Sequence, residues 1–458
     1  MQNNMKSTIK SIILGACVAF ATTAVAQHTN SGYFLDGYMF RYQMNPAIGN
    51  NQNYISMPGL TNINVAERGT LGVSDIFYNV NGRTATFLHP DVSTEEAMSK
   101  LKGTNHIGVN TKIDVLSFGF KAFGGYNTMS ISARANAAVK LPDDIFRLLK
   151  EGVTNDTYNI ANVAAHADAY AEVALNHSHQ ITPNVRIGVT LKGLVGAGNV
   201  DLDFKKAQLE LREDSWDVVT EAEVQANIKN LNLISSVSEE TGNMCIDDVE
   251  IEKFGIAGYG AAVDLGAVVN IGDFEVSAAL LDLGAISWSN NYLASTDGEH
   301  HFTTGKYTFN VDDEAANSFE NEFERMGDDL AVLYEVKDMG DQGSRLRMLA
   351  TTLNLGVKYT LPTYKKLSFG FLSTSRFQSD FSWTEVRLSA NYAPCNFFSM
   401  GANVATGTIG SGLGWMINLH PAGFNLFAGM DYTCLNLVKP GVPKNSTTTV
   451  NFGINIPF

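Results

Sequence analysis

Large apolar residues take every second position over 450–458. Val450, Phe452, Ile454, Ile456 and Phe458 alternate there with Asn451, Gly453, Asn455 and Pro457. Successive side chains of a strand point to opposite faces, so the stretch predicts a strand with one greasy face and one small or polar face. The scheme recurs at 185–192, where Val185, Ile187, Val189 and Leu191 oppose Arg186, Gly188, Thr190 and Lys192, and again at 353–359, 367–371 and 386–392. Candidate strands lie near 54–66, 105–122, 125–141, 162–180, 184–200, 201–215, 253–271 and 273–289. Others follow near 346–361, 364–380, 382–394, 396–409, 411–420, 422–437 and 446–458, with weaker ones at 217–231 and 293–309.

Two architectures accommodate such strands. A secreted β-sandwich turns the apolar face inward, whereas a transmembrane antiparallel β-barrel turns it to lipid. Charged and glycine residues crowd the polar face while the opposite face is nearly free of charge, which favours the barrel. The first residues agree: Lys6 and Lys10 precede an apolar run, and Ala24-Val25-Ala26 before Gln27 matches a signal-peptide cleavage site. A lipoprotein variant at Leu14-Gly15-Ala16-Cys17 would leave few apolar residues after Lys10. The expected chain is all-β: a signal peptide at 1–26, then an outer-membrane β-barrel over 27–458 with 27–52 as a candidate N-terminal plug. Single-chain barrels close with an even strand number, which gives about 14 strands, with 16 as the alternative. At roughly 10 residues per crossing, much of the chain is left for strand extensions, loops and plug. The code sends Phe452, Ile454 and Ile456 to outer-membrane lipid and Asn451, Gly453 and Asn455 to the lumen. Phe458 is expected to be the signal that barrel assembly machinery reads.

Turns sort by length. Thr182-Pro183-Asn184 and Pro362-Thr363-Tyr364 mark short periplasmic reversals, and the long segments 231–252 and 290–345 should face outward. The second contains Asp312, Asp313, Glu314, Glu320, Glu322, Glu324, Asp328 and Asp329 with Phe319, Phe323 and Met326 at helical spacing. It reads as an amphipathic acidic helix facing water or covering the mouth. Another short helix is expected from Pro142 to Lys150, with Pro142 and two acids in its first turn.

Composition narrows the chemistry. Without residues 1–26, which hold Lys6 and Lys10, the net charge of −15 becomes −17, so a nucleic-acid partner is not expected. Cys245, Cys395 and Cys434 are odd in number and lack CxxC spacing, which leaves no zinc framework and at most one disulfide. No Gly-x-Ser-x-Gly, Walker or Rossmann signature stands in a suitable context, so no catalytic residue and no cofactor is assigned. His177 and His179 share one face of a strand, but Ala171, Val173 and Leu175 continue that face, which puts the pair at the lipid interface rather than on a metal. The other face carries Asp168, Tyr170, Glu172 and Asn176. A three-residue turn at 181–183 sets Glu172 opposite Lys192 and predicts a lumenal ion pair, the kind of cross-strand contact worth roughly 0.2–1 kcal/mol.

The stretch Tyr170-Ala171-Glu172-Val173-Ala174-Leu175, continuing to Arg186-Ile187-Gly188-Val189-Thr190-Leu191-Lys192-Gly193-Leu194-Val195-Gly196, resembles a family of uncharacterised Bacteroidetes-type outer-membrane barrels. Tyr33 to Gly37, Asn45 to Ala47 and Thr86 to Pro90 fit as well, and Asn176 departs from the usual glycine. More distantly the chain is similar to long-chain fatty-acid transporter barrels and to barrels of the type IX secretion system. The links are Asn45-Pro46-Ala47, placed like the transporters' plug motif, and the repeated Asp264-Leu265-Gly266 and Asp282-Leu283-Gly284. An ordinary Asn-Pro turn explains Asn45 and Pro46 equally well, and Asp264 and Asp282 read as backbone acceptors at strand ends. The resemblance implies passive transport of a hydrophobic small molecule, with Tyr33, Phe34, Tyr38, Phe40 and Tyr42 as candidate pocket aromatics. The alternative is a protein-binding barrel that supports secretion or surface assembly, its partner unnamed.

Overall fold

The structure is a computed structural model. It describes residues 29–433 and 447–458 except 57–60, 72, 153, 155, 213–214, 239–240, 305–324, 326–332 and 334, together with 437–438 and 442–443. The predicted signal peptide, most of the acidic helix and Cys434 lie outside the described residues.

Among the described residues, 14 antiparallel strands form a closed ring. They are β1 (Tyr54–Ser56 with Asn62–Gly69), β2 (Thr104–Ala122), β3 (Gly125–Pro142), β4 (Ala164–Thr182), β5 (Val185–Leu211), β6 (Gly258–Ile271) and β7 (Phe274–Trp288). The second half comprises β8 (Thr351–Thr360), β9 (Leu367–Phe377), β10 (Trp383–Cys395), β11 (Phe398–Gly407), β12 (Ser411–Leu419), β13 (Asn425–Thr433) and β14 (Thr448–Pro457). Each pairs with its neighbours in chain order, and β14 pairs with β1, for example Asn451 with Asn64, so no edge is left open.

The two faces of the wall invert the pattern of a soluble protein. Leu191, Leu388, Leu175 and Val404 point outward and are more than half exposed. Asn62, Asp114, Glu172, Asn354, Asn451 and Asn455 point inward and are buried. A closed ring satisfies its backbone hydrogen bonds internally, and an apolar outer belt over a polar inner face suits lipid outside and a polar lumen within. The protein is an outer-membrane β-barrel. In the closing strand Phe452 lies outward and Asn451, Gly453 and Asn455 inward, as the alternation predicts.

One end of the ring carries short turns. The β2–β3 reversal uses Phe123 and Gly124, both at positive φ (59° and 72°), the pairing that a type I′ hairpin requires. At the other end the wall is uneven. The 27-residue β5 unites two predicted strands. Its lower part pairs with β6, and from Gly198 to Leu211 it pairs with Trp216–Ile228, which continues into Asn291–Ser295, His300–Thr303 and Lys337–Asp341. A hairpin, Leu231–Val237 with Met244–Ile251, stands beside this extension. Helices α1 (Thr94–Ser99) and α2 (Asp143–Glu151) pack Ala97 and Phe146 into a small cap core with Tyr78 and Phe87. Helix α2 matches the predicted one, with Pro142 as its N-cap and Arg147 paired to Asp144 at 3.0 Å.

Candidate functional site: the lumen

Residues 29–48 lie inside the ring. Two 3-10 turns, Asn30–Gly32 and Met39–Gln43, fold the segment so that Tyr33, Phe34, Tyr38, Phe40 and Tyr42 join one buried cluster with Tyr54, Tyr126, Leu372, Met416 and Phe427 of the wall. Tyr38 meets Phe427 edge-on at 5.0 Å, and its hydroxyl donates to Asn451 Oδ1 at 3.1 Å. Aromatic pairs of this kind add roughly 0.5–1.5 kcal/mol to what their burial supplies. The aromatics therefore fill the lumen as a compact core. Burial pushes the Tyr42 hydroxyl up to about 12, with Asp114 acting in the same direction, so it stays protonated.

Asn45-Pro46-Ala47 is a turn within the lumen. The Asn45 side-chain oxygen accepts the Ala47 N–H at 3.0 Å, while its Nδ2 donates to the carbonyls of Ala267 and Ala278 at 3.3 and 3.4 Å. Asn176 Nδ2 donates to the Pro46 carbonyl at 3.1 Å and the Ser178 hydroxyl to that of Ala47 at 2.7 Å. Backbone polar groups away from water need such partners. The approach to the wall needs glycine: a Cβ on Gly188 would lie 2.2 Å from the Pro46 backbone, and one on Gly266 2.2 Å from Asn45 Oδ1.

Two charge networks line the wall. In the first, Glu172 meets Lys112 at 3.1 Å and Arg134 at 3.0 Å, Arg134 meets Asp282 at 2.9 Å, and Lys192 bridges Asp282 and Asp264 at 2.6 and 2.7 Å. It crosses six successive strands, β2 to β7. Glu172 and Lys192 are both inward and buried, but the expected direct pair does not form, because the register is offset by two residues. Glu172 faces Leu194, and Lys192 faces Ala174. The Thr182 hydroxyl accepts the N–H groups of Asn184 and Val185, so the chain reverses at Pro183–Asn184, and a bulge follows at Gln180/Thr182. Asp264 is a backbone acceptor as expected, but it and Asp282 sit within β6 and β7, not at strand ends. Their Asp-Leu-Gly repeats build a bulge in which Asp282 has φ 58° and its N–H donates to Asp264 Oδ1 at 2.7 Å.

The second network anchors the start of the segment. Asp431 accepts the N–H of Asn30 at 2.7 Å and that of Ser31 at 3.2 Å. Arg387 lies 2.7 Å from both Asp431 and Glu385, and Arg68 lies 3.5 Å from Glu385. Tyr432 donates to Glu385. At the short-turn end Asp36 pairs with Lys358 at 2.9 Å and with Arg41 at 3.3 Å. Removal from bulk water would raise the Asp36 pKa, but these two cations outweigh it and hold the carboxyl below its usual range.

The family model described as a family of unknown function, DUF5723, matches residues 46–431, which is most of the chain. The chain belongs to DUF5723. This DUF5723 barrel is similar to the toluene transporter TbuX of Ralstonia pickettii, at 8% identity over 95% of each chain with a TM-score of 0.41. It is also similar to the toluene transporter TodX of Pseudomonas putida, at 6% identity over 95% and 94% of the two chains with a TM-score of 0.42. A Pseudomonas aeruginosa FadL homologue matches at 10% identity over 95% and 98%, with a TM-score of 0.35. A comparison with curated proteins finds no match.

Cavities of about 50, 330 and 240 Å³ adjoin the inner wall, and the first is also lined by Asn30, Gln43 and Met44 of the segment. The largest mixes apolar walls (Ile286, Trp288, Leu349, Phe377) with Arg134 and Arg376. Sequence reasoning did not single out Arg376, Trp288 or Asp431. Their signal exists only as inward register on the strands. His177 and His179 lie at the short-turn end with rings 5.6 Å apart, and His177 Nδ1 bonds Asn127 at 2.9 Å. Among the described residues no group of three or more His, Cys, Asp or Glu could hold a metal ion.

Proposed function

We propose that this barrel passes small hydrophobic molecules across the outer membrane through a lumen that its own N-terminal segment plugs. The observation that carries the reading is the 330 Å³ cavity in the barrel, within the size range of small-ligand sites and walled partly by Ile286 and Trp288; it shares Arg134, Asn136, Asp282 and Arg376 with the small cavity that Asn30, Gln43 and Met44 of the segment line. Outward of the Thr351–Phe377 pair the wall parts: Arg345–Met348 follows β7, while the chain beyond Phe377 turns toward β10. Leu346, 70% exposed, and Met348 border that gap, so an apolar solute can reach the cavity from the membrane's outer side. Passage then requires residues 29–48 to shift, with Asn45-Pro46-Ala47 as the plug's wall contact. Proteoliposomes holding the purified protein should release an entrapped neutral aromatic faster than empty liposomes. Equal rates would remove the proposal.

A second reading, a docking barrel for a surface protein, is favoured by the Leu231–Ile251 hairpin, whose facing residues Val237 and Met244 are both exposed. Recovery of a stoichiometric partner from detergent extracts would select it.

A further inference from the structure

Arg68, Lys112, Arg134, Lys192, Arg345, Arg347, Lys358 and Arg387 each face a carboxylate within the barrel. Arg376 does not. Its contacts are to amide oxygens at the long end of hydrogen bonding, Nη2 to Asn110 Oδ1 at 3.3 Å and Nε to Gln378 Oε1 at 3.4 Å. Its place is equally distinct, because Arg376 and Asn136 line all three cavities. A guanidinium is always charged and offers a planar fork of donors that fits a carboxylate. A cation partly withdrawn from water without a counter-charge is costly, and that cost is recovered when an anion arrives.

We propose that Arg376 is the anchor of a binding site for a compact organic monocarboxylate with an apolar body. The other cations that line the cavity are paired, Arg134 with Asp282, His166 with Asp168 and Arg347 with Asp201, so Arg376 offers one positive charge to a single negative one. The walls supply the rest of the preference. The 330 Å³ cavity has a mixed wall, in which Phe377, Leu346, Met348 and Leu349 supply apolar surface for a hydrocarbon body beside the polar groups that surround Arg376. The proposal rests on the transport reading for its role in the membrane, but the site stands or falls on binding alone.

The test uses the full-length protein in nanodiscs, with benzoate as the probe and benzyl alcohol as its neutral counterpart, each followed by calorimetry. Benzoate is expected to bind saturably, and Arg376→Gln to weaken it by roughly tenfold or more, the usual scale for losing a charge-assisted hydrogen bond. Arg376→Lys should restore part of the loss, and benzyl alcohol should bind equally to all three proteins. Retention of the heat-modifiable gel shift by each variant controls for folding. Equal benzoate affinity in the wild type and Arg376→Gln overturns the site, as does benzoate binding no tighter than benzyl alcohol. Benzoate binding with no solute flux in proteoliposomes would remove the transport reading and leave the site, whereas flux of neutral aromatics without benzoate binding would do the reverse.

Discussion

Gly188 and Gly266 face each other across β5 and β6, and the Asn45-Pro46-Ala47 turn rests on the pair. Two directly opposed glycines make a dent in the inner wall, and the turn's backbone occupies it at a distance that no side chain tolerates. Gly266→Val is therefore expected to lift the turn from the wall. Overpacking of this kind costs about 1–3 kcal/mol, borne by the segment rather than the ring, whose strands hold themselves. Planar-bilayer recordings should show larger or more frequent openings than the wild type. Unchanged conductance together with an unchanged melting temperature would contradict the contact.

The charge ladder yields a coupling test. Glu172 touches Arg134 but reaches Lys192 through Arg134 and Asp282. Double-mutant cycles on thermal stability should give a Glu172–Arg134 interaction above about 1 kcal/mol and a smaller Glu172–Lys192 value, since coupling concentrates in direct contacts. The reverse order would restore the register expected from the sequence.

Asp431 holds two backbone N–H groups of the N-terminal segment and one side of Arg387. Replacing it with Asn leaves Glu385 as the one carboxylate that Arg387 contacts among the described residues and should cost about 3 kcal/mol, the lower range for breaking a buried ion pair. Proteolysis is the second readout, and cleavage near residues 29–35 should accelerate in Asp431→Asn.

The reach of the sequence can be judged at these same residues. Alternation located the wall strands because lipid makes the outward face strict, and the inward placement of Glu172, Lys192, Asn451 and Asn455 followed from period two alone. Partners did not follow. A two-residue reversal at Pro183–Asn184 in place of a three-residue turn at 181–183 shifts the facing sum by three, the bulge takes back one, and Lys192 moves from Glu172 to Ala174 without changing its face. Contacts such as Arg134 to Asp282 exist only once the ring closes. β5 read as two strands because its composition turns charged at Asp201, Asp203, Lys205 and Lys206, where it leaves the lipid belt although the backbone continues.

Acid should loosen the N-terminal segment where it meets the short-turn end. The Asp36 carboxyl is held below its usual range, so its contribution is present above the ordinary aspartate pKa of about 3.9. That contribution is lost as pH falls through the lower folded value. Openings in planar bilayers should increase in that acidic window, and Lys358→Gln should widen the window upward in pH. An identical pH profile in the variant would argue against the Asp36–Lys358 contact.

The inner wall also carries Leu372, Met416, Phe427, Tyr54 and Tyr126, all buried under residues 29–48. In an empty pore these side chains would line one stretch of a water column whose remaining wall is polar, Asn62, Asp114, Asn354, Asn451 and Asn455 among it. Removing residues 29–48 should therefore produce an aqueous hole that conducts ions and carries one apolar patch, which retards molecules that shed their hydration readily and leaves ions unaffected.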